Sequence, residues 1–284
     1  MSSPTRQTLH LPTIDLSYLE WQPLTSSATT PVLLLHGLAD HAGVWRKLGE
    51  QLALTHPVVA PDLRGHGQSG KPDSGYAHTD ILADLAALLD HLGWTTTHIV
   101  GHSWSAKLAC IWATQSPERF RKLVLFDPAF TGKFPTWTRV TFPLFYRILP
   151  FLKMMGPFET YTQAEQQAKT LKQYKQWSLL QEAVFKEGMV KNADGTWSSQ
   201  FCMAARDGVF EDFTQVSALT APINIPTLLV RPEKGLNQRS FQLNPYKQFI
   251  SNLEIQCVPG NHWAFTVDPN TVNPIMIHFL EGHC

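Results

Sequence analysis

Ser103 is the residue of this 284-residue chain whose surroundings best suit nucleophilic chemistry. It is the centre of Gly101-His102-Ser103-Trp104-Ser105, between a predicted strand and a predicted helix. In such a sharp turn the serine backbone is strained, and the hydroxyl projects clear of the sheet towards a substrate. The residues two before and two after it must be small, because the strand and the helix pack closely there. Gly101 fits, and Ser105 is small although it is not the usual glycine. The alternative interpretation of Ser103 is an ordinary helix N-cap.

Two backbone N–H groups are expected to face the same position. The pair His36-Gly37 ends an earlier buried strand and leaves the N–H of Leu38 free to point at the site. The N–H of Trp104 lies at the start of the helix that follows Ser103. Two such donors form an oxyanion hole, which stabilises the transition state by about 3 kcal/mol per donor.

Two further segments follow predicted strands. Residues 61–69, PDLRGHGQS, form a glycine-rich cluster of turns in which Asp62 and Arg64 are expected to brace the loop. Residues 259–263, PGNHW, directly follow the last predicted strand and contain His262. The alternative for His262 is one of 12 histidines on a surface loop. Its position after the last strand favours a role in the site.

The elements that must position these residues are predicted from hydropathy. Short apolar runs predict buried strands, and apolar positions at spacings of three and four predict helices. Strands that alternate with helices imply an α/β fold, with a mostly parallel central sheet and helices on both faces. The predicted strands cover residues 14–21, 31–35, 56–60, 97–100, 122–126, 227–230 and 253–258. The predicted helices cover residues 44–54, 79–92, 105–115, 243–250 and 273–280.

An insertion, residues 130–215, interrupts this alternation, and we predict a helical cap there on a core of residues 1–129 and 216–284. It opens with a run rich in aromatic residues, methionine and proline, and a helix-like polar stretch follows over residues 162–181. A cap over the carboxyl edge of the sheet would cover the place where open α/β sheets bind ligands. Its first part is therefore expected to line a hydrophobic, acyl-sized pocket, unless these aromatic residues form only the core of the cap itself. The residues assigned to the pocket are His36, Phe130, Trp137, Phe142, Phe145 and Trp263.

Together, these motifs in this order resemble the α/β-hydrolase superfamily, in its branch of serine esterases and lipases with a helical cap. The resemblance extends from about Ile14 to Leu280. It implies that Ser103 is the nucleophile and His262 the general base, which takes the hydroxyl proton during attack and returns it to the leaving group. A serine at this turn argues against the epoxide hydrolases and haloalkane dehalogenases of the superfamily, which use an aspartate there.

The resemblance also implies a carboxylate that orients His262, and the usual position for it is empty. The superfamily usually carries an aspartate a few residues beyond the strand that follows the cap. Here that position falls at about Gly235, and no aspartate occurs in residues 213–267. Some members carry the acid one strand earlier, where Asp127 ends the strand after the nucleophile's helix. Both strands end at the same edge of the sheet, so we favour Asp127 over its alternative role in bonding the following turn. Glu233 is the second candidate, and a degenerate site without an acid is the third.

Composition restricts the partners of the protein. The 23 basic and 23 acidic residues balance, which argues against nucleic-acid binding and fits a small hydrophobic substrate. The four cysteines are scattered without metal-ligand spacing, so we expect no metal or cofactor and reduced thiols. The N-terminus lacks an apolar signal segment, and the expected location is the cytoplasm. The sequence leaves open whether the protein is a monomer or a homodimer, and whether the apolar residues 142–158 contact a membrane.

Three functions are compatible with these residues. The leading hypothesis is a serine hydrolase that cleaves a hydrophobic carboxylic ester through an acyl-Ser103 intermediate. The second is a carbon–carbon bond hydrolase that uses the same triad. The third is a ligand-binding or weakly catalytic protein on the same fold, which the missing acid at Gly235 motivates. A fluorophosphonate probe discriminates the third from the others, because a serine without an activated base reacts poorly with it.

Overall fold

An eight-stranded sheet forms the centre of the protein. The structure is a computed structural model that describes residues 3–24, 29–141 and 149–282. The strands are β1 (Thr5–His10), β2 (Asp15–Trp21), β3 (Val32–Leu35), β4 (Val58–Pro61), β5 (Thr97–His102), β6 (Phe120–Phe126), β9 (Thr227–Lys234) and β10 (Leu253–Asn261). Their order in the sheet is β1-β2-β4-β3-β5-β6-β9-β10. Strand β2 is antiparallel to β1 and to β4, and all other neighbours are parallel. The predicted α/β fold with a mostly parallel sheet is therefore confirmed.

Helices cover both faces of this sheet. The core helices are α1 (Arg46–Leu52), α2 (His78–His91), α3 (Trp104–Gln115), α7 (Ser240–Phe249), α8 (Ala264–Val267) and α9 (Pro269–Glu281). Alternate strand residues separate the core into two layers: Leu33 packs with α2, α3 and α7, whereas Leu34 packs with α1 and α9. None of the helices in the described parts of the chain is long and apolar enough to cross a membrane.

Three strands differ from the sequence-based expectation. Strand β1 was not predicted, because it is an edge strand whose side chains are exposed or half-buried and show no apolar alternation. Strands β9 and β10 continue past their predicted ends, through Pro232 and Pro259. Beyond Val230, where the pairing of β9 with β6 ends, β9 and β10 still pair with each other as far as Asn261. This extension carries the next residue, His262, to the edge of the sheet.

The described residues of the insertion, 130–141 and 149–215, form a layer with its own small core. It contains α4 (Tyr161–Ala168), α5 (Leu179–Glu187), the hairpin strands β7 (Met189–Lys191) and β8 (Trp197–Ser199), and α6 (Met203–Gln215). The predicted helix-like stretch over residues 162–181 is interrupted, because α4 ends at Ala168 and α5 begins only at Leu179. Buried Met154 and Phe185 belong to a cluster that packs within this layer. Part of the apolar content of the insertion therefore stabilises the insertion itself.

Both ends of the insertion meet at Lys107 on α3. Its side chain is fully buried, and its Nζ donates hydrogen bonds to Gly132 O at 3.1 Å and Phe213 O at 2.8 Å. The same ammonium lies 4.6 Å from the ring centroid of Phe130 and 4.3 Å from that of Phe213. Burial lowers the pKa of Lys107 to about 7. The entry and the exit of the insertion are therefore held by one side chain.

Ion pairs fasten the other side of the insertion to the core. Arg6 on β1 contacts Asp62 at 2.7 Å and also pairs with Glu187, at the end of α5. Arg46 on α1 contacts the second oxygen of Glu187 at 2.7 Å. The edge strand β1 thus contributes a link between the loop after β4 and the insertion.

A His98→Gln variant is expected to be less sensitive to acid. His98 lies on β5 with 4% of its surface exposed, and its Nδ1 has no partner in the described structure. Burial, together with the charges of His56, Lys122 and Arg121, lowers its pKa to about 3. Below pH 6.5 the His98 side chain of the unfolded chain binds a proton, whereas that of the folded chain stays neutral down to about pH 3. The free energy of unfolding therefore falls through this window, by up to ~1.4 kcal/mol per pH unit.

Urea unfolding between about pH 7 and pH 5 checks this prediction. The plot of the free energy of unfolding against pH should be shallower for His98→Gln than for the wild type. His91 is the matched control, because it is exposed at the end of α2, and His91→Gln should keep the wild-type slope. Equal slopes for His98→Gln and the wild type would show that His98 takes up its proton equally in both states.

Candidate active site

Ser103 occupies a strained turn between β5 and α3. Its φ of 57° and ψ of −116° lie in a region of backbone torsions that residues other than glycine rarely adopt. Two hydrogen bonds hold the turn to the end of β6: Ser103 N donates to Phe126 O at 3.0 Å, and Ala129 N donates to Ser103 O at 3.1 Å. The backbone of the proposed nucleophile is thus fixed to the segment that contains Asp127.

Close packing explains the small residues that flank Ser103. A Cβ on Gly101 would lie 2.8 Å from Ser105 O and 2.9 Å from Ala106 N, so any larger residue would displace the backbone of α3. On the other side, the Ser105 hydroxyl donates a hydrogen bond to His36 O at the end of β3. This serine therefore joins the nucleophile's helix to the strand that precedes the predicted oxyanion hole.

The two predicted oxyanion donors are both available. Leu38 lies in the turn after β3, in which Asp40 N donates to Gly37 O at 3.2 Å and Ala39 has a φ of 62°. Trp104 is the first residue of α3, whose N–H has no partner within the helix. Within the described part of the chain, neither N–H donates to an acceptor. Both can therefore bind a substrate oxygen.

The structure places Asp127 against His262. The fully buried carboxylate of Asp127 lies 2.6 Å from His262 Nδ1, and 14% of the histidine side chain is exposed. Leu236 N donates to both carboxylate oxygens at 3.0 and 2.9 Å, and Asn237 Nδ2 donates to Oδ1 at 3.1 Å. These donors fix the carboxylate, which in turn keeps the proton on Nδ1 of the imidazole. Nε2 is then the nitrogen that can accept a proton.

Gly235 lies beside this carboxylate. A Cβ on Gly235 would be only 2.7 Å from Asp127 Cγ, so the Asp127 carboxylate occupies the space that a side chain at position 235 would enter. The absence of a side chain at position 235 thus leaves room for the carboxylate of Asp127. Glu233, the other candidate for the acid, is exposed on β9.

His102 connects the turn of Ser103 to the loop of His262, a role that the sequence analysis missed. Its Nε2 donates to His262 O at 2.9 Å, and the two ring centroids are 4.5 Å apart. Within the described structure, the Ser103 hydroxyl makes no hydrogen bond to the His262 ring. Such bonds are often long in sites without substrate and shorten when substrate binds. His102 nevertheless holds the His262 loop next to the nucleophile's turn.

Three buried histidines surround the site without an acid–base role. Burial lowers the pKa of His36, His66 and His102, so all three are neutral at neutral pH. His66 stacks on Phe201 with ring centroids 4.5 Å apart and on Trp104 at 6.0 Å. Across the described residues, no group of three or more His, Cys, Asp or Glu side chains could hold a metal ion.

Two cavities lie between the core and the insertion. The larger one has an empty volume of about 520 Å³ and extends from the turn at residues 39–41 to methionine and aromatic side chains of the insertion. The smaller one has about 230 Å³. Asp40, Gln173 and Tyr174 line both cavities. Ser103 lines neither cavity. The turn that begins at Leu38 connects the cavities to the candidate active site.

One of the predicted pocket residues, His36, lines neither cavity. His36 is fully buried, its Nδ1 donates to Gly37 O at 2.8 Å, and its Nε2 accepts from Leu63 N at 3.0 Å. It therefore supports the loops beneath the site and presents no group to a ligand. Trp263 does line the smaller cavity. Phe142 and Phe145 lie outside the described residues.

Phe130 and Trp137 also lie away from both cavities. Phe130 stacks on Phe134 with centroids 4.1 Å apart and meets Phe213 at 4.6 Å, so it packs at the base of the insertion. Trp137 is 67% exposed. Neither side chain lines the larger or the smaller cavity. The apolar lining comes instead from Met154, Met155 and residues later in the insertion, such as Phe185.

Comparison with known proteins gives matches over most of the chain. The sequence model of the alpha/beta hydrolase fold matches residues 30–269. The soluble epoxide hydrolase of Corynebacterium sp. (strain C12) is 33% identical over 104 residues, which are 37% of this chain and 36% of that protein. This chain therefore aligns with little more than a third of that relative's length.

Two other similar proteins are matched along nearly their whole length. The putative carbamate hydrolase RutD of Azorhizobium caulinodans is 30% identical over 257 residues, 89% of this chain and 91% of that protein. The crystal structure of E-2-(acetamidomethylene)succinate hydrolase superposes with a TM-score of 0.79 at 20% identity, covering 98% of this chain and 100% of that one. At this level of identity the structural likeness concerns the fold alone.

Proposed function

This chain belongs to the alpha/beta hydrolase fold family, and we propose that it is a serine hydrolase that cleaves hydrophobic carboxylic esters through an acyl-Ser103 intermediate. The observation that carries the proposal is the buried Asp127 carboxylate, 2.6 Å from His262 Nδ1, at the sheet edge where Ser103 occupies its strained turn. A hydroxyl nucleophile, an imidazole base and a carboxylate that orients the base are the three groups that this acyl transfer requires.

Each step of the proposed reaction has a residue to perform it. His262 Nε2 takes the proton of the Ser103 hydroxyl as its oxygen attacks the ester carbonyl carbon. The N–H groups of Leu38 and Trp104 bind the negative oxygen of the tetrahedral intermediate. The bond to the alcohol then breaks, and His262 returns the proton to the alcohol oxygen. In a second round, His262 activates a water molecule that releases the acid from Ser103.

The serine at position 103 favours acyl transfer over epoxide hydrolysis, the reaction in the name of one similar protein. Among the similar proteins is an epoxide hydrolase, but that alignment covers only part of both chains. The epoxide hydrolases of this superfamily use an aspartate at the turn, and this chain has Ser103. A serine attacks acyl carbons such as those of esters, and the carbamate in the name of another relative also contains an acyl carbon.

The proposed preference for hydrophobic esters follows from the larger cavity. Methionine and aromatic side chains line its side on the insertion, so an acyl chain longer than acetyl would bury apolar surface against them. We expect kcat/KM for p-nitrophenyl butyrate to exceed that for the acetate by about tenfold, and that for the hexanoate to be higher still, since each buried CH₂ contributes ~0.8 kcal/mol. Initial rates of p-nitrophenol release, corrected for spontaneous hydrolysis, measure this ratio.

The same series tests the reaction itself. Saturable turnover of any member of the series supports ester hydrolysis, and a rise with chain length supports the hydrophobic preference. Fastest turnover of the acetate would contradict the preference. The absence of turnover across the whole series would contradict ester hydrolysis.

A further inference from the structure

Asp40 is a buried carboxylate at the boundary between the two cavities. It lines both of them, and only 8% of its surface is exposed. Its Oδ2 accepts a hydrogen bond from Trp263 Nε1 at 3.3 Å. No donor in the described residues reaches Oδ1. Because a buried carboxylate requires compensation of its charge, one long hydrogen bond leaves Asp40 incompletely satisfied.

The histidines next to Asp40 do not supply a positive charge. His102 Nδ1 lies 3.6 Å from Asp40 Oδ2, beyond hydrogen-bond distance, and burial lowers the pKa of His102. His41 donates from Nε2 to Val184 O at 2.9 Å and accepts at Nδ1 from Gly43 N at 3.1 Å. A ring that both donates and accepts in this way is the neutral tautomer.

The other residues that line the two cavities add no positive charge. Among the described residues that line the two cavities there is no lysine or arginine, and Asp40 carries the only formal charge. The other side chains include three methionines and the aromatic rings of Tyr174, Phe185 and Phe201. A carboxylate in a cavity lined by aromatic rings suits a cation, which both the negative charge and the π-systems attract.

We propose that Asp40 determines specificity by recognising a cationic ammonium group on the ester that this site cleaves. The inference rests on the proposed ester hydrolysis and names its substrate class. Asp40 is two residues from Leu38, so the carboxylate is attached within about 7 Å of the backbone that carries the proposed oxyanion donor. The ammonium group would accordingly be separated from the scissile carbonyl by only a few bonds, on either the acyl or the alcohol side.

Two pairs of esters that match in shape and differ in charge test this inference. On the alcohol side, butyrylcholine is compared with 3,3-dimethylbutyl butyrate. On the acyl side, the p-nitrophenyl ester of 4-(trimethylammonio)butyrate is compared with that of 5,5-dimethylhexanoate. In each pair a quaternary nitrogen replaces a quaternary carbon. We expect the wild type to prefer the cation by about tenfold or more in kcat/KM in at least one pair.

Substitutions then assign the preference to Asp40. In Asp40→Asn, which keeps the shape and an acceptor for Trp263, the ratio should fall to about one. Asp40→Glu should retain a preference for the cation. Asp73→Asn is the matched control, because it removes the same charge from an exposed position, and its ratio should equal that of the wild type.

The outcomes separate this inference from the proposed function. A wild-type ratio of one or less in both pairs would overturn the role of Asp40, as would an unchanged ratio in Asp40→Asn. Failure to hydrolyse even the neutral esters would instead count against ester hydrolysis. One measurement needs no variant: choline should inhibit hydrolysis of the neutral ester competitively and at lower concentration than 3,3-dimethylbutanol. Equal inhibition by the two alcohols would also overturn the inference.

Discussion

Replacing Asp127 by asparagine is expected to slow ester hydrolysis by about 10⁴-fold with little change in KM. In the wild type the carboxylate accepts the Nδ1 proton of His262 at 2.6 Å. An asparagine can turn its NH₂ group towards the same nitrogen, which favours the tautomer with its proton on Nε2. That tautomer cannot take the proton of Ser103. Steady-state rates with p-nitrophenyl butyrate measure the loss, and thermal unfolding verifies that the variant is folded.

The matched comparison is Glu233→Gln, which makes the same chemical change at the other candidate acid. Glu233 is exposed on β9, so its substitution should leave the rate within about twofold of the wild type. A rescue variant sharpens the test, because Gly235 lies beside the Asp127 carboxylate. Asp127→Ala combined with Gly235→Asp should regain part of the activity that Asp127→Ala loses. A nearly wild-type rate for Asp127→Asn would end the assignment of Asp127 as the acid.

Replacing Ser103 by alanine is expected to lower kcat by about 10⁶-fold, the largest effect of any single substitution here. Alanine lacks the oxygen that attacks the carbonyl carbon, whereas the oxyanion donors and the cavity are retained. The φ of 57° at this position is as strained for alanine as for serine, so the melting temperature should change little. Stopped assays at high enzyme concentration, with the wild type diluted to a comparable rate, measure the difference.

Covalent labelling gives a second measurement of the same prediction. A fluorophosphonate should label the native wild type at the peptide that contains Ser103, and should label neither Ser103→Ala nor the urea-unfolded chain. Ser74→Ala, at an exposed serine, is the control and should be labelled like the wild type. Ester hydrolysis that persists in Ser103→Ala would exclude the acyl-serine mechanism.

The parts of the site that the sequence predicts are those governed by local rules. A serine in a turn between a buried strand and a helix follows from residue sizes and hydropathy over about ten positions. Asp127 was placed near His262 because parallel strands end at one edge of the sheet, which requires only the order of the elements. The structure brings these two side chains together. It adds that Gly235 is small where Asp127 needs room, a relation between distant positions that a single sequence does not reveal.

The lining of the cavities could not be predicted in this way. Whether Phe130 faces a ligand or packs on Phe213 depends on how the insertion lies against the core, and no local pattern specifies that. The assignment of His36 failed for a related reason, because both of its ring nitrogens bond to backbone groups. The hairpin β7–β8 was also missed, although Asp194-Gly195 in its turn is a typical hairpin signal. Its strands, of three residues each, are too short to show alternation.

The attachment at Lys107 has a consequence for how this scaffold can diversify. The insertion leaves and re-enters the core at a single ammonium, which binds Gly132 O and Phe213 O and lies one helical turn after Ser103. Between these fixed points the cost of closing a longer or shorter loop changes only slowly with its length. Lys107 therefore provides one attachment point that insertions of different lengths and sequences can share. The insertion, and the cavities it lines, can then change during evolution while Ser103, Asp127 and His262 keep their geometry.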